Sequence, residues 1–333
     1  MSDDTKYAYA VARVRGMETR LFTRQIVERL LAESVEGVLS TLADTTYQEA
    51  LADVSRPEDL ERGLLKALSD TFATLAAMSP EPELIGLFRE RWDFRNLRAL
   101  LKASALKTET DEIGVAEGPG LVELPVIEKA VHEKSYGALP DHMAEAARTA
   151  EEEYRDLPEL WCIDRVIDGA LWRRSLSVAR EHGNIFLEDY FKTEIDLHNI
   201  RTFVRVKEGG GDPEALDRAL VDGGTLERSR FAALLDEPVD AFARSIEYGR
   251  YAPLAEVLRD WSSERMPDLE RASDDFLLRM TERASTTAYG IEPLVRYILV
   301  KELEIKLVRT IVTGKLDAVD RSEVESRLRS LHA

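Results

Sequence analysis

Apolar residues recur at intervals of three and four along almost the whole chain, as in Tyr7, Val11, Val14, Met17 and Leu21, and again in Leu60, Leu64, Leu68, Phe72 and Leu75. This is the period of an amphipathic helix, and the alternating Val, Ile and Thr runs that mark half-buried strands are scarce. The second stretch follows Ser55-Arg56-Pro57-Glu58. That is a capping box, in which the Ser hydroxyl and the Glu carboxylate satisfy orphan backbone amides while proline sits in the first turn. Turn chemistry breaks the pattern at Ser79-Pro80-Glu81-Pro82, Glu117-Gly118-Pro119-Gly120, Gly209-Gly210-Gly211-Asp212-Pro213 and Asp222-Gly223-Gly224. The pattern predicts an all-α protein and argues against a parallel sheet.

One helical pattern occurs three times. Leu84 to Lys102, containing WDFRNLRALLK, falls on Leu187 to Arg205, containing IDLHNIRTFVR, after a shift of 103 residues. A further shift of 108 lands on Val295 to Thr313, containing LEIKLVRTIVT. An acid repeats as Asp93, Asp196 and Glu304, a base as Arg95, His198 and Lys306, and an arginine as Arg98, Arg201 and Arg309. Eight apolar columns agree as well, among them Phe88/Phe191/Leu299, Phe94/Leu197/Ile305 and Leu97/Ile200/Val308.

A second landmark, Gly120-Leu121-Val122-Glu123, stands 104 residues before Gly224-Thr225-Leu226-Glu227, and a fainter one sets Leu30 to Val35 against Leu234 to Val239 at a shift of 204. The repeat is therefore about 105 residues long, with expected units 1–115, 116–219 and 220–333. Each copy exposes a comparable apolar face, which a neighbour covers either in an open solenoid or in a closed pseudo-threefold arrangement. Closure leaves an axis where a cavity can hold a rod, or a base that can sit on a ring.

Charge narrows the function. With 45 Lys+Arg against 63 Asp+Glu the net charge is −18, which argues against nucleic acid as a partner and against docking to anionic lipid. A chain that is 44% hydrophobic with mean hydropathy −0.28 builds a sizeable core. Its apolar runs are far shorter than the roughly 20 residues of a membrane-spanning helix. One cysteine, Cys162, and no signal-peptide pattern at the start point to a reducing cytoplasm.

Catalytic and cofactor motifs are hard to find. Thr313-Gly314-Lys315-Leu316 lacks the upstream glycine and terminal hydroxyl of a phosphate-binding loop, and Gly209-Gly210-Gly211 has neither a strand before it nor a lysine after it. The five histidines stand at no metal-ligand spacing. Asp274-Asp275-Phe276-Leu277-Leu278 starts like the aspartate-rich magnesium motif of helical diphosphate enzymes, but leucine holds its third acid position. Cys162 sits in an apolar setting that reads as core, and Glu151-Glu152-Glu153 as a solvated helix face. No cofactor, metal or catalytic residue is assigned.

Within the repeated helix, Asp93 shares a face with Asn96 and Asp196 with Asn199, whereas the arginine five residues beyond each acid lies well round the cylinder. Asp93, Asp196, Glu304, Arg98, Arg201 and Arg309 are therefore expected to bond to neighbouring helices or backbone and fix the packing between repeats. The column Arg95, His198 and Lys306 is the alternative, as a basic face toward the axis that touches a partner.

These features resemble the C-type subunit of the archaeal and bacterial A-type and V-type rotary ATPases, and are similar to the d-type subunit of the eukaryotic vacuolar pump. The resemblance rests on Tyr7 to Arg15 (YAYAVARVR), Leu39 to Tyr47 (LSTLADTTY), WDFRNLRALLKA at 92–103, YFKTEIDLHNIRTF at 190–203, and Asp222-Gly223-Gly224 leading into a helix. Leu307 stands where the first two copies have Asn96 and Asn199. The resemblance implies a funnel of three helical domains and a non-catalytic role. Its partners would be central stalk subunits of D and F type and the membrane proteolipid ring, on whose cytoplasmic face it would pass torque during ion transport. A helical-repeat scaffold of another assembly is the alternative, and an all-helical enzyme with an acidic pocket the third reading.

Overall fold

The computed structural model describes residues 4–54, 59–108 and 115–328; the capping box at Ser55 to Glu58 lies outside them. Sixteen α-helices occur among the described residues, and no strand. They are α1 (Ala8–Glu18), α2 (Arg24–Ala32), α3 (Val35–Ala43), α4 (Leu60–Met78), α5 (Pro82–Leu106), α6 (Leu124–His132), α7 (Asp141–Asp156) and α8 (Leu160–Glu181). There follow α9 (Ile185–Glu208), α10 (Pro213–Ala219), α11 (Arg228–Ala233), α12 (Val239–Ile246), α13 (Ala252–Leu258), α14 (Met266–Met280), α15 (Glu292–Leu316) and α16 (Arg321–Arg327).

The three copies of the repeated pattern are α5, α9 and α15, of 25, 24 and 25 residues. Each buries side chains on most of its circumference, so its apolar stripe is wide and its polar positions are few and enclosed. Local chemistry sets their ends. The Asn184 side chain accepts from the Leu187 amide (2.9 Å) to start α9. Gly210, at φ +68°, lets the chain turn back so that the Gly211 amide reaches the Val206 carbonyl (2.8 Å), which stops it. Asp212 then accepts from the Ala215 amide (2.7 Å) and starts α10. The triple glycine is thus a stop and start between two helices.

The helices gather into two compact units. One comprises Met1–Arg89, Glu117–Leu121 and Leu278–Ala333, and the other Glu90–Ala116 and Val122–Leu277. In the first unit α15 packs against α1, α2, α3 and α4, around Leu30, Val38, Leu42, Phe72, Ile298, Val308 and Ile311. In the second, α7, α8 and the later turns of α5 enclose Phe94, Leu97, Ile127, Met143, Ala147 and Ile167. Phe203, Phe231 and Phe242 form an aromatic cluster there, with ring centroids 4.7 to 5.8 Å apart. Cys162 is 2% exposed on α8, and burial pushes its thiol pKa up. Among the described residues no helix is long and apolar enough to cross a membrane.

Candidate functional site

A buried carboxylate needs donors, and each acid of the repeated column finds them at the beginning of another helical segment. Asp93 on α5 accepts from the Val122 amide (3.2 Å), just before α6. Asp196 on α9 accepts from the amides of Thr225 and Leu226 (both 2.9 Å), from the Thr225 hydroxyl and from the Tyr251 hydroxyl (2.6 Å). Gly224 makes that approach possible, since a Cβ there would stand 2.2 Å from Asp196 Oδ1. The third acid, Glu304 on α15, has no such segment downstream. It accepts from the Phe22 amide (2.5 Å) and the Tyr47 hydroxyl (3.0 Å), both far toward the N-terminus.

The same hand-over recurs along the three helices. Arg98 donates to both oxygens of Asp168 on α8 (2.7 and 2.9 Å), and Arg309 donates through Nε and Nη2 to Glu61 on α4 (2.7 Å for Nε). For Arg201 no such bond is seen among the described residues; burial lowers its pKa, and the charge of Asp274 on α14 opposes that shift. The acids at 61, 168 and 274 are themselves spaced by about one repeat length. Lys207 donates to the Leu235 carbonyl, and Lys315 to the carbonyls of Leu31 (2.8 Å) and Glu33 (2.6 Å). The shift of 204 that aligns Leu30 with Leu234 also aligns Phe22 with Leu226, Leu31 with Leu235 and Tyr47 with Tyr251. Asn96 and Asn199 add brackets to Ala116 and Val221, with Asn199 both donating (2.8 Å) and accepting (2.9 Å).

The basic column is less uniform. Arg95 lies over the Trp92 ring at 5.1 Å, and Lys306 is half-buried. His198 meets Trp172 edge-on at 4.8 Å. Burial first, then the charges of Arg201, Arg205 and Arg98, pull its pKa down to about 3, so at neutral pH this position carries no charge. Between about 6.5 and 3 the unfolded chain binds a proton at this site that the native protein does not, so stability falls as pH drops through that window. The ceiling is about 1.4 kcal/mol per pH unit, reduced by partial exposure of the ring. His198→Gln is therefore expected to lose about 1 kcal/mol less than the parent between pH 7 and pH 5, measured by urea unfolding at both values. Asp168, whose pKa burial raises to about 6 against the pull of Arg98, contributes in both proteins and cancels.

Sequence reasoning missed a second buried polar column, one turn before the acids: Glu90, Thr193 and Lys301. Lys301 donates to Glu304 (2.6 Å) and sits 3.9 Å from the Tyr47 ring centroid. Thr193 accepts from Arg250 (2.8 Å), and Glu90 lies 3.8 Å from both His142 and Arg174. The shared signal was position alone, because one member is anionic, one neutral and one cationic. Among the described residues no group of three or more His, Cys, Asp and Glu is placed to hold a metal ion. What the columns do chemically is tie helices to distant backbone.

The family model for the ATP synthase (C/AC39) subunit matches residues 10–327. The chain is 30% identical to the C-type subunit of an A-type ATP synthase from Desulfurococcus sp. (strain SY), over 92% of this chain and 86% of that one. It is 24% identical to the C-type subunit of the V-type sodium ATPase of Enterococcus hirae, over 96% and 97%. The corresponding A-type ATP synthase protein from Haloferax volcanii is 27% identical, with 96% of each chain covered.

Proposed function

Because the chain belongs to the ATP synthase (C/AC39) subunit family, we propose that it is the non-catalytic coupling component of an A/V-type rotary ATPase, joining the central stalk to the membrane proteolipid ring and carrying torque between them. The observation that supports this best is the end-to-end match, from residue 10 to residue 327, with relatives covered over nearly their whole length. The D-type and F-type stalk subunits and the ring are its partners, and its place is the cytoplasmic face of the membrane, held there by the complex.

The hand-over of bonds supports a closed pseudo-threefold arrangement of repeats 1–115, 116–219 and 220–333. The first long helix binds the second repeat through Val122 and Asp168, and the second binds the third repeat through Thr225 and Leu235. The third returns to the first through Phe22 and Glu61. An open solenoid would leave its last long helix without a following repeat, whereas here the first repeat takes that part. In this reading the acid and arginine columns fix packing between repeats. Each long helix packs into the next repeat, which is why compactness groups the chain differently from its sequence period.

The test is a tagged pull-down of this chain from gently solubilised native membranes, with mass spectrometry of what is retained. Stalk subunits, proteolipid and the ATP-hydrolysing head are the expected yield. A preparation holding only unrelated soluble proteins would sink the assignment.

A further inference from the structure

Two of the three acid joints are made between segments that the chain itself keeps close, and the third is not. Asp93 and Val122 are 29 residues apart, as are Asp196 and Thr225, whereas Glu304 and Phe22 are separated by 282. By loop-closure scaling with the three-halves power of length, the longer tether lowers the effective concentration of the closing segment about 30-fold. Everything that holds this joint lies in one compact unit, so it closes by side-chain chemistry and packing.

That chemistry differs from the other joints. Asp196 is held by two backbone amides and two hydroxyls, all neutral donors. Glu304 has one amide, one hydroxyl and a buried ammonium, Lys301, which is 3% exposed. Lys301 also donates to the Thr46 hydroxyl (3.3 Å), so it ties both the acid and the turn that follows α3. At the rim, Lys315 holds the end of α2 through the Leu31 and Glu33 carbonyls. The segment so held is lightly built: α2 and α3 are nine residues each, and α1 has no side-chain N-cap and carries Gly16 on its exposed side.

We propose that α1–α3 form a clasp, a cooperative unit that detaches from α15 and rejoins it while the rest of the chain stays folded, with Lys301, Glu304 and Lys315 as its latch. The clasp itself rests on contacts within the isolated chain and stands or falls apart from the rotary assignment.

Native-state hydrogen exchange on the intact purified chain tests it, because exchange reads local opening segment by segment. Residues 8–43 are expected to exchange as one block, at least tenfold faster than 228–258, which contains the counterparts of α2 and α3 at the shift of 204. Lys315→Met, a change at the rim that leaves the core intact, is expected to speed exchange of 8–43 severalfold and leave 228–258 unchanged. Glu304→Gln is expected to do the same by tenfold or more. Should 8–43 exchange no faster than 228–258, or should Lys315→Met move both segments equally or neither, there is no clasp. If Glu304→Gln fails to fold, Lys315→Met and the parent chain decide the matter.

Discussion

Asp196→Ala is expected to lower the unfolding free energy by about 3–5 kcal/mol, the cost typical of removing one side of a buried charged network. The carboxylate is fully enclosed and collects the amides of Thr225 and Leu226 together with two hydroxyls. Alanine leaves those buried donors without an acceptor, so desolvation rather than lost attraction dominates. Tyr251→Phe removes one donor and keeps the ring's packing, so about 1–2 kcal/mol is expected for it. Urea unfolding of the two variants beside the parent measures both. If Asp196→Ala costs no more than Tyr251→Phe, the carboxylate is not the organiser of that joint.

Lys301→Met should be as damaging, for the opposite reason: it strands an anion. Lys301 and Glu304 are both buried and 2.6 Å apart, and desolvation pulls the lysine pKa down while Glu304 pulls it back. Without the ammonium, Glu304 is expected to cost about 3–5 kcal/mol at neutral pH. The double change Lys301→Met/Glu304→Gln removes both charges, keeps an oxygen for the Phe22 amide, and should recover most of the loss. Urea unfolding of single and double variants at pH 7 checks the cycle; a double variant as unstable as Lys301→Met would show that the pair is not the source of the cost.

The long helices were legible because their polar positions are so few. Eight apolar columns and an unbroken acid column locate α5, α9 and α15 along the chain where the structure has them. The shift of 204 carried more than it showed, since it fixes Phe22, Leu31 and Tyr47 as the counterparts of Leu226, Leu235 and Tyr251. What it could not show is that each acid reaches the beginning of another helical segment, because a periodic pattern gives positions along the chain and not the segment that packs against them. Charge in the third column also misleads: His198 shares its register with Arg95 and Lys306, yet burial beside Trp172 and three arginines holds it neutral. Lys301 was invisible for a related reason, as a lysine inside an apolar run reads as a solvent-facing residue until Glu304 and Tyr47 are placed round it.

Cys162 has a practical side. The chain's single thiol is 2% exposed, and its pKa lies above the usual cysteine value; reagents that need an accessible thiolate therefore find almost none. The native sequence is already a quiet background for site-directed labelling. A Tyr248→Cys change, at a position 95% exposed, would take a maleimide dye selectively and place a fluorophore at one known position on the chain.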